Sequence, residues 1–264
     1  MAREVLAVRY GSRVAPRRES FLNYHVYAEP DGPIDVDYYF WIIREPGGVT
    51  LIDTGFAPAA GRRRRRDQWL TPADALPPLG IDPASVHTVV ITHAHWDHTG
   101  NLGQFPDAQV VMSQAEYAFW TSPIARRTHF ALHAEADEIA LLAKAREQGR
   151  LTLTQAERTQ LAPGIELVQV GGHTPGELIV TIDDGKGMVV LASDALHHYE
   201  EVEQDRPYAI LSDLPAMYRG YDLLAELSAE PGARLVAGHD PEVRARFAAH
   251  PAHPAVTDLG TPVD

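Results

Sequence analysis

The feature that most constrains this chain is a cluster of metal-binding residue types at residues 91–100, which read ITHAHWDHTG. Three histidines and one aspartate lie within six residues: His93, His95, Asp97 and His98. Residues two apart point the same way in an extended segment, so His93 and His95 can bind one ion. Asp97 and His98 follow on a turning backbone and point elsewhere, toward a second ion. Because burying these groups without metal would leave several polar atoms unsatisfied, the spacing predicts a metal site.

The position of the cluster in the chain supports this interpretation. Val89, Val90 and Ile91 precede it, and residues 86–91 read as a buried strand. The cluster therefore begins where a strand ends and a loop starts, which is a common place for chemistry on a rigid scaffold.

The motif His-x-His-x-Asp-His after a hydrophobic strand resembles the metallo-β-lactamase superfamily of hydrolases. That family also needs a later histidine, a bridging aspartate and a last histidine, each at the end of a strand. The matching positions are His173 in GGHTPG, Asp194 after residues 188–192, and His239 in GHD. The resemblance implies two metal ions, with His93, His95 and His173 on one, Asp97, His98 and His239 on the other, and Asp194 bridging them.

A second point of resemblance is LIDTG at residues 51–55. In the superfamily this aspartate is usually structural and is not a direct ligand. We therefore expect Asp53 to support the histidine loop by hydrogen bonds, as the outer partners of metal ligands do.

The pattern of elements by itself indicates a mixed α+β protein, and the resemblance implies a four-layer αββα sandwich. Strands are expected at residues 1–10 and 37–43, the second forming a hairpin with residues 49–55. Residues 13–35 read as an irregular loop, and the proline-containing tail is expected to be loosely ordered. No linker is visible, so residues 1–264 are predicted to form a single domain.

A helical insertion is expected at about residues 113–162. Ser113 and Glu116 fit a capping box, with Ser113 as N-cap, and should open a helix through Trp120. In the superfamily such an insertion often packs over the active site.

The composition of the chain limits the metals and partners that it can bind. The chain has no cysteine, so any metal must be held by nitrogen and oxygen; zinc is expected first, with manganese, iron or cobalt as alternatives. The formal net charge of −13 argues against nucleic acid as the main partner. No membrane span or secretory signal is visible, which favours a cytoplasmic protein acting on a small molecule. A homodimer through the aromatic residues of the early loop stays open.

The resemblance is greatest to the N-acyl homoserine lactonase group, which is associated with quorum quenching. It implies that a metal-bridging hydroxide opens a lactone ring, with Asp97 orienting the nucleophile or passing a proton. Those lactonases commonly carry a histidine where Glu177 stands, and several carry a tyrosine where His197 stands. His197 itself or the nearby Tyr199 is expected to contact the substrate carbonyl. The predicted apolar walls are Trp96, Trp120 and Phe130.

Other functions stay open at this point. A thioester, ester or amide hydrolase resembling hydroxyacylglutathione hydrolase would be favoured by a basic patch, which only residues 62–66, five consecutive arginines, could supply. That run also reads as a solvated surface. A β-lactamase would be secreted, and an oxygen or nitric oxide reductase would need a flavin domain. The alternative outside enzymes is a metal-binding interaction module.

Overall fold

The computed structural model of the chain describes residues 3–263, which form two β-sheets with helices on their outer faces. The strands of these residues are β1 (Glu4–Pro16), β2 (Pro33–Glu45), β3 (Gly48–Ile52), β4 (Asp67–Gln68), β5 (Val86–Val90), β6 (Gln109–Ser113), β7 (Leu151–Thr154), β8 (Arg158–Ala162), β9 (Ile165–Gln169), β10 (Leu178–Asp183), β11 (Met188–Leu191), β12 (Arg234–Val236), β13 (Phe247–Ala249) and β14 (Val256–Pro262).

The α-helices of the same residues are α1 (Arg17–Ser20), α2 (Pro58–Arg63), α3 (Pro72–Ala75), α4 (Trp96–Thr99), α5 (Gln114–Trp120), α6 (Thr128–Ala131), α7 (Ala136–Glu147), α8 (Glu200–Glu203), α9 (Leu214–Ser228) and α10 (Val243–Arg246). Short 3₁₀ turns lie at Tyr24–Tyr27, Pro77–Leu79, Pro83–Ser85, Leu102–Gln104, Ile124–Arg126 and Ser193–Ala195. None of the helices described has both the length and the apolar character that crossing a membrane requires.

The first sheet runs in the order β13-β14-β1-β2-β3-β5-β6-β7, with β4 paired to β1, and the second runs β12-β11-β10-β9-β8. Strand β2 shows how the layers are made, because both of its faces are buried. Tyr39 and Trp41 pack into one core together with residues of the second sheet. Phe40 and Ile42, on the opposite face, pack into the other core beneath helical segments. This alternation confirms the four-layer αββα sandwich.

Two predictions about irregular segments are wrong. Strand β1 continues through residues that were expected to form a loop and pairs with β2 as far as Pro16 and Pro33. Proline in the sequence indicates a loop, but these two prolines stand at the last pair of the ladder. The tail is also ordered: β14 pairs with β1, and Val256 and Leu259 are buried. A strand at that position covers the edge of β1, which would otherwise present unpaired backbone groups.

The segment predicted as a helical insertion is helical only in its first part. Helices α5, α6 and α7 lie within residues 114–147, whereas β7 and β8 occupy its end. The capping box is half formed. Ser113 accepts a hydrogen bond from the Glu116 backbone at 3.0 Å, but the Glu116 carboxylate points into the protein and contacts the loops around the metal site.

Candidate metal centre

The predicted ligands meet because each follows the carboxyl end of a strand at one edge of the sandwich. His93 and His95 follow β5 of the first sheet, His173 follows β9, Asp194 follows β11, and His239 follows β12. Asp97 and His98 lie on α4, a single helical turn that begins directly after His95. The two sheets therefore face each other across a cluster to which both contribute.

Two groups of ligand atoms form, and their members correspond to the two predicted metal sites. His93, His95, His173 and Asp194 make one group, and Asp97, His98 and His239 make the other; within each group the ligand atoms lie within 4.8 Å of one another. All seven side chains are buried or nearly so. We call these seven residues the floor.

Asp194 lies between the two groups and turns one oxygen toward each. Its Oδ1 lies 3.2 Å from His98 Nε2 and 3.0 Å from His239 Nε2. Its Oδ2 lies 3.3 Å from His173 Nε2 and 3.7 Å from His93 Nε2. This is the geometry that a carboxylate needs if it is to bridge two ions.

Outer hydrogen bonds fix the orientation of the floor histidines. His173 Nδ1 donates to the Ile210 carbonyl at 2.7 Å, and His239 Nδ1 donates to the Asp37 carbonyl at 2.7 Å. In each case the hydrogen bond leaves Nε2 facing the cluster. Backbone and carboxylate partners of this kind set the tautomer and ring orientation of metal-binding histidines.

Asp53 holds the histidine loop, as the sequence predicted. Its Oδ2 accepts from Thr92 Oγ1 and from His98 Nδ1, both at 2.7 Å, and its Oδ1 accepts from the Thr92 backbone at 2.8 Å. The residue has a φ of 63°, in the left-handed region. Aspartate and asparagine tolerate that conformation better than most residues.

The chemistry of the floor fits divalent ions. His93 Nε2, His98 Nε2 and Asp194 Oδ1 are buried and have no hydrogen-bond partner among the described residues. Burial lowers the pKa of His93, of His95 and of His173 well below the usual value, which keeps these imidazoles neutral, as metal binding requires. Nitrogen and carboxylate ligands without sulfur suit zinc and several other first-row metals. The residues present therefore support two divalent ions.

A buried glutamate ties the two loops of the floor together. The Glu116 carboxylate accepts from the backbones of Ala94 and Gly176, at 3.0 and 2.9 Å, and from Trp120 Nε1 at 2.6 Å. Glu177 offers a contrast, since neither of its buried carboxylate oxygens has a hydrogen-bond partner among residues 3–263. Burial, reinforced by Asp194 and Glu116, raises the pKa of Glu177 well above its usual value. Glu177 therefore favours the neutral acid.

A cavity of about 210 Å³ opens above the floor. Beside floor residues, its wall includes Trp96, His133, His197 and a set of arginines and tyrosines that we call the rim: Arg13, Tyr38, Arg64, Arg66 and Tyr208. Arg64 lies over the Trp96 ring at 4.5 Å. Two members of the arginine run thus line the cavity, which the sequence could not establish.

The other residues predicted to contact the substrate do not all line the main cavity. His197 lies on the cavity wall, with Nε2 at 3.1 Å from Asp194 Oδ2. Trp120 and Phe130 line a separate, smaller cavity beside His95, of about 10 Å³, so their contact with substrate stays a prediction. Tyr199 does not line either cavity: its hydroxyl donates to the Leu235 carbonyl at 3.0 Å, and Arg246 covers its ring.

The tyrosine that does reach the site is Tyr208. Its ring stacks on His197 with centroids 3.6 Å apart and planes 12° apart. Arg13 Nη2 donates to its hydroxyl at 3.4 Å. Sequence reasoning missed Tyr208 because it is distant from every motif, and the arginine–proline–tyrosine segment around it carries no metal-site signal. The aromatic contact with His197 appears only in three dimensions.

Together these features define a class: an αββα protein with a histidine–aspartate centre for two metal ions at the edge shared by its sheets. Residues 35–239 match the family model described as Metallo-beta-lactamase superfamily. The chain belongs to this family.

Relatives of the chain within this family carry the name of one kind of hydrolase. The chain is 30% identical to N-acyl homoserine lactonase AttM of Azorhizobium caulinodans, over 81% of this chain and 86% of that protein. It is also 30% identical to AttM of Agrobacterium fabrum, with 79% and 83% covered.

Solved structures share the fold. A quorum-quenching N-acyl homoserine lactone lactonase has a TM-score of 0.73 at 22% identity, covering 92% of this chain and 95% of that chain. AidC, a dizinc quorum-quenching lactonase in complex with a product, has a TM-score of 0.69 at 19% identity, with 90% and 88% covered.

Proposed function

We propose that this protein is a two-metal hydrolase that opens the lactone ring of N-acyl homoserine lactones, an activity that quenches quorum sensing. The observation that carries the proposal is the Asp194 carboxylate, whose two oxygens face two separate groups of ligands. The relatives named as lactonases support the substrate class. Zinc is the proposed metal. His93, His95 and His173 would hold one ion, and Asp97, His98 and His239 would hold the other, with Asp194 shared.

Two divalent ions held by these residues would supply polarisation of the carbonyl and a water molecule of lowered pKa. The chain itself must orient the lactone and move protons. Ring opening adds the elements of water across the ester C–O bond, and the departing ring oxygen takes up a proton. The Asp97 carboxyl lies in the floor and lines the cavity, so it is the group we assign to carry that proton.

The wall residues supply hydrogen bonds to the substrate. Burial raises the pKa of Tyr208 above its usual value, so its hydroxyl stays protonated at neutral pH. Because Arg13 donates to the Tyr208 oxygen, the tyrosine proton is free to be donated to a substrate oxygen. Tyr208 therefore replaces Tyr199 in our assignment, while His197 remains a contact beside it.

The size of the cavity limits the acyl group. A volume of about 210 Å³ lies below the roughly 300–1,000 Å³ that pockets for drug-sized ligands span. We therefore expect short acyl chains to be preferred. Trp96 forms part of the wall, and Trp120 and Phe130 would be reached only if the smaller cavity beside His95 joined the main one.

Several broader predictions accompany this function. The core between the sheets contains residues of both, which supports one domain. The net charge of −13 supports a small-molecule substrate without nucleic acid or membrane, and we propose that the protein acts in the cytoplasm. A homodimer is a further prediction, which light scattering can test by measuring the molar mass in solution. It cannot use Phe21 and Tyr24 as exposed contacts, because both are buried in the protomer.

The test is a hydrolysis panel followed by pH-stat on protein of measured metal content. It contains butanoyl, hexanoyl and decanoyl homoserine lactones, a plain γ-lactone, an aryl ester and a glutathione thioester. We expect lactone turnover that falls with chain length. In Asp194→Ala it should fall by about a thousandfold or more, together with the metal content. Asp222→Ala, an exposed position on α9, is the matched control.

Turnover confined to the aryl ester or the thioester would contradict the lactonase assignment and leave a two-metal hydrolase. A protein with two metals per chain that hydrolyses no member of the panel would contradict the lactonase assignment and would mean that the substrate lies outside the classes tested.

A further inference from the structure

The rim carries positive charge that the floor does not use. Three arginines face the cavity, and only Arg64 is neutralised, by Glu135, which also pairs with Arg63 at 2.7 Å. Arg13 and Arg66 form no ion pair with any carboxylate among residues 3–263, and Arg13 Nε is buried without a hydrogen-bond partner there. Acidic residues outnumber basic ones in this chain, 36 to 23, so two unpaired arginines at one cavity are not explained by a shortage of partners.

The two free arginines converge on the same part of the wall. Each donates to the hydroxyl of a cavity tyrosine: Arg13 to Tyr208 at 3.4 Å, and Arg66 Nε to Tyr38 at 2.9 Å. Burial raises the pKa of Tyr38, and both guanidinium groups oppose that rise, which places both within electrostatic reach of one hydroxyl. Tyr38 in turn packs edge-on against the His239 ring, at 5.2 Å between centroids. The free charge therefore lies beside the floor.

The carboxylates of the floor are unsuitable counter-ions. Asp194 faces four floor histidines, and Asp97 belongs to the second ligand group, so the charge of both is committed to metal. A half-buried guanidinium without a counter-ion is unfavourable unless something else satisfies it. Its planar set of donors matches a carboxylate, to which it can form two parallel hydrogen bonds.

We propose that the cavity binds a substrate that carries a carboxylate in addition to its ester carbonyl, and that Arg13 and Arg66 bind this carboxylate. The inference rests on the proposed function, because it assumes that the floor hydrolyses an ester bond, but it changes the substrate class. The preferred substrate is an anionic lactone or ester whose carboxylate reaches the two arginines while its ester carbonyl lies at the floor. In a protein of negative net charge, this local positive potential also draws an anion toward the floor.

The experiment compares matched substrates that differ only in charge. One pair is a homoserine lactone N-acylated with a six-carbon chain that ends in a carboxylate, and its neutral carboxamide counterpart. The second pair consists of two aryl esters with the same six-carbon acyl chains, one ending in the carboxylate and the other in the carboxamide. At low salt, we expect kcat/KM for each carboxylate to exceed that for its carboxamide by about tenfold or more, with the ratio falling as salt is added.

Variants then assign the preference to the two residues. Arg13→Gln and Arg66→Gln should each lower the carboxylate-to-carboxamide ratio of kcat/KM by about tenfold, and Arg66→Lys should restore part of it because a point charge remains. Arg62→Gln is the matched control, since Arg62 is an exposed member of the same run that does not line the cavity. Metal content is measured for every variant.

The outcomes separate this inference from the proposed function. Neutral lactones hydrolysed as fast as their carboxylate partners, with ratios unchanged in the variants, would overturn the inference and leave the lactonase standing. A preference seen only in the aryl ester pair, with both lactones inert, would support the anion site and overturn the lactonase. Failure to hydrolyse either carboxylate substrate would overturn the inference.

Discussion

The floor and the rim of the cavity are built in opposite ways. Each floor ligand follows a strand end or lies on the turn just after one, and three of the histidine rings are held by hydrogen bonds of 2.7 Å to a carbonyl or carboxylate. The rim instead joins separate elements through arginine side chains, with hydrogen bonds that range from 2.9 Å between Arg66 and Tyr38 to 3.4 Å between Arg13 and Tyr208. A floor set by strand ends preserves the chemistry, whereas a rim built from side chains of separate elements can change with the substrate without disturbing the metal ligands.

The largest effect is expected where the support of the floor is removed. Asp53→Asn should weaken metal binding by about ten- to a hundredfold, because an amide has a single accepting oxygen and cannot replace all three hydrogen bonds that the two carboxylate oxygens accept from Thr92 and His98. Asparagine tolerates the φ of 63° at this position, so the backbone should not change. Competition with a chromogenic chelator measures the affinity. Unaltered affinity would mean that the floor orients its histidines without Asp53.

A second prediction concerns α7, which contacts the last residue of α4, beside the floor, through Glu138. Thr99 Oγ1 donates to the Glu138 carboxyl at 2.7 Å. Burial, with Glu135 and Asp97 adding to it, raises the pKa of Glu138 from 4.5 to about 8. A folded-state pKa above the unfolded value means that the stabilisation from Glu138 is complete below pH 4.5 and is lost as pH rises toward 8.

Glu138→Gln removes this titration and keeps an acceptor for Thr99. The variant should therefore gain stability relative to the parent as pH rises through that window, by an amount on the order of 5 kcal/mol across the whole of it. Urea unfolding at several pH values, with both proteins in the same metal state, gives the difference. A difference that does not vary with pH would show that Glu138 is not protonated in the folded protein.

The contrast between floor and rim also explains which parts of the molecule could be predicted from the sequence. The floor was predictable because its residues lie in short motifs and each follows an apolar strand whose direction is set by alternation, as with Val89 and Val90 before His93. The layered fold followed from the resemblance that those motifs carry. The ordered tail was not predictable, because β14 is specified by the exposed edge of β1 rather than by its own pattern.

The rim could not be predicted from local patterns. Arg13 lies 195 residues from Tyr208, and Arg66 lies 28 residues from Tyr38, so no spacing brings them together. The sequence around Arg13 predicts a loop, although the residue belongs to β1. Closeness to Asp194 in sequence favours Tyr199 as a substrate contact, but its hydroxyl donates to the Leu235 carbonyl.

The smallest effect is expected from removal of the hydroxyl of Tyr208, the rim tyrosine that stacks on His197. Tyr208→Phe keeps the stacked ring on His197 and removes only the hydroxyl, so metal content should be unchanged. If the hydroxyl donates to the substrate carbonyl as it is attacked, kcat should fall about tenfold, with less effect on KM. Tyr199→Phe is the matched control, because its hydroxyl lies outside the cavity and should affect stability more than turnover. Equal kcat values in the parent and the Tyr208→Phe variant would mean that the Tyr208 hydroxyl does not assist turnover. His197 would then be the donor to the substrate carbonyl, and the rim would serve only to select the substrate.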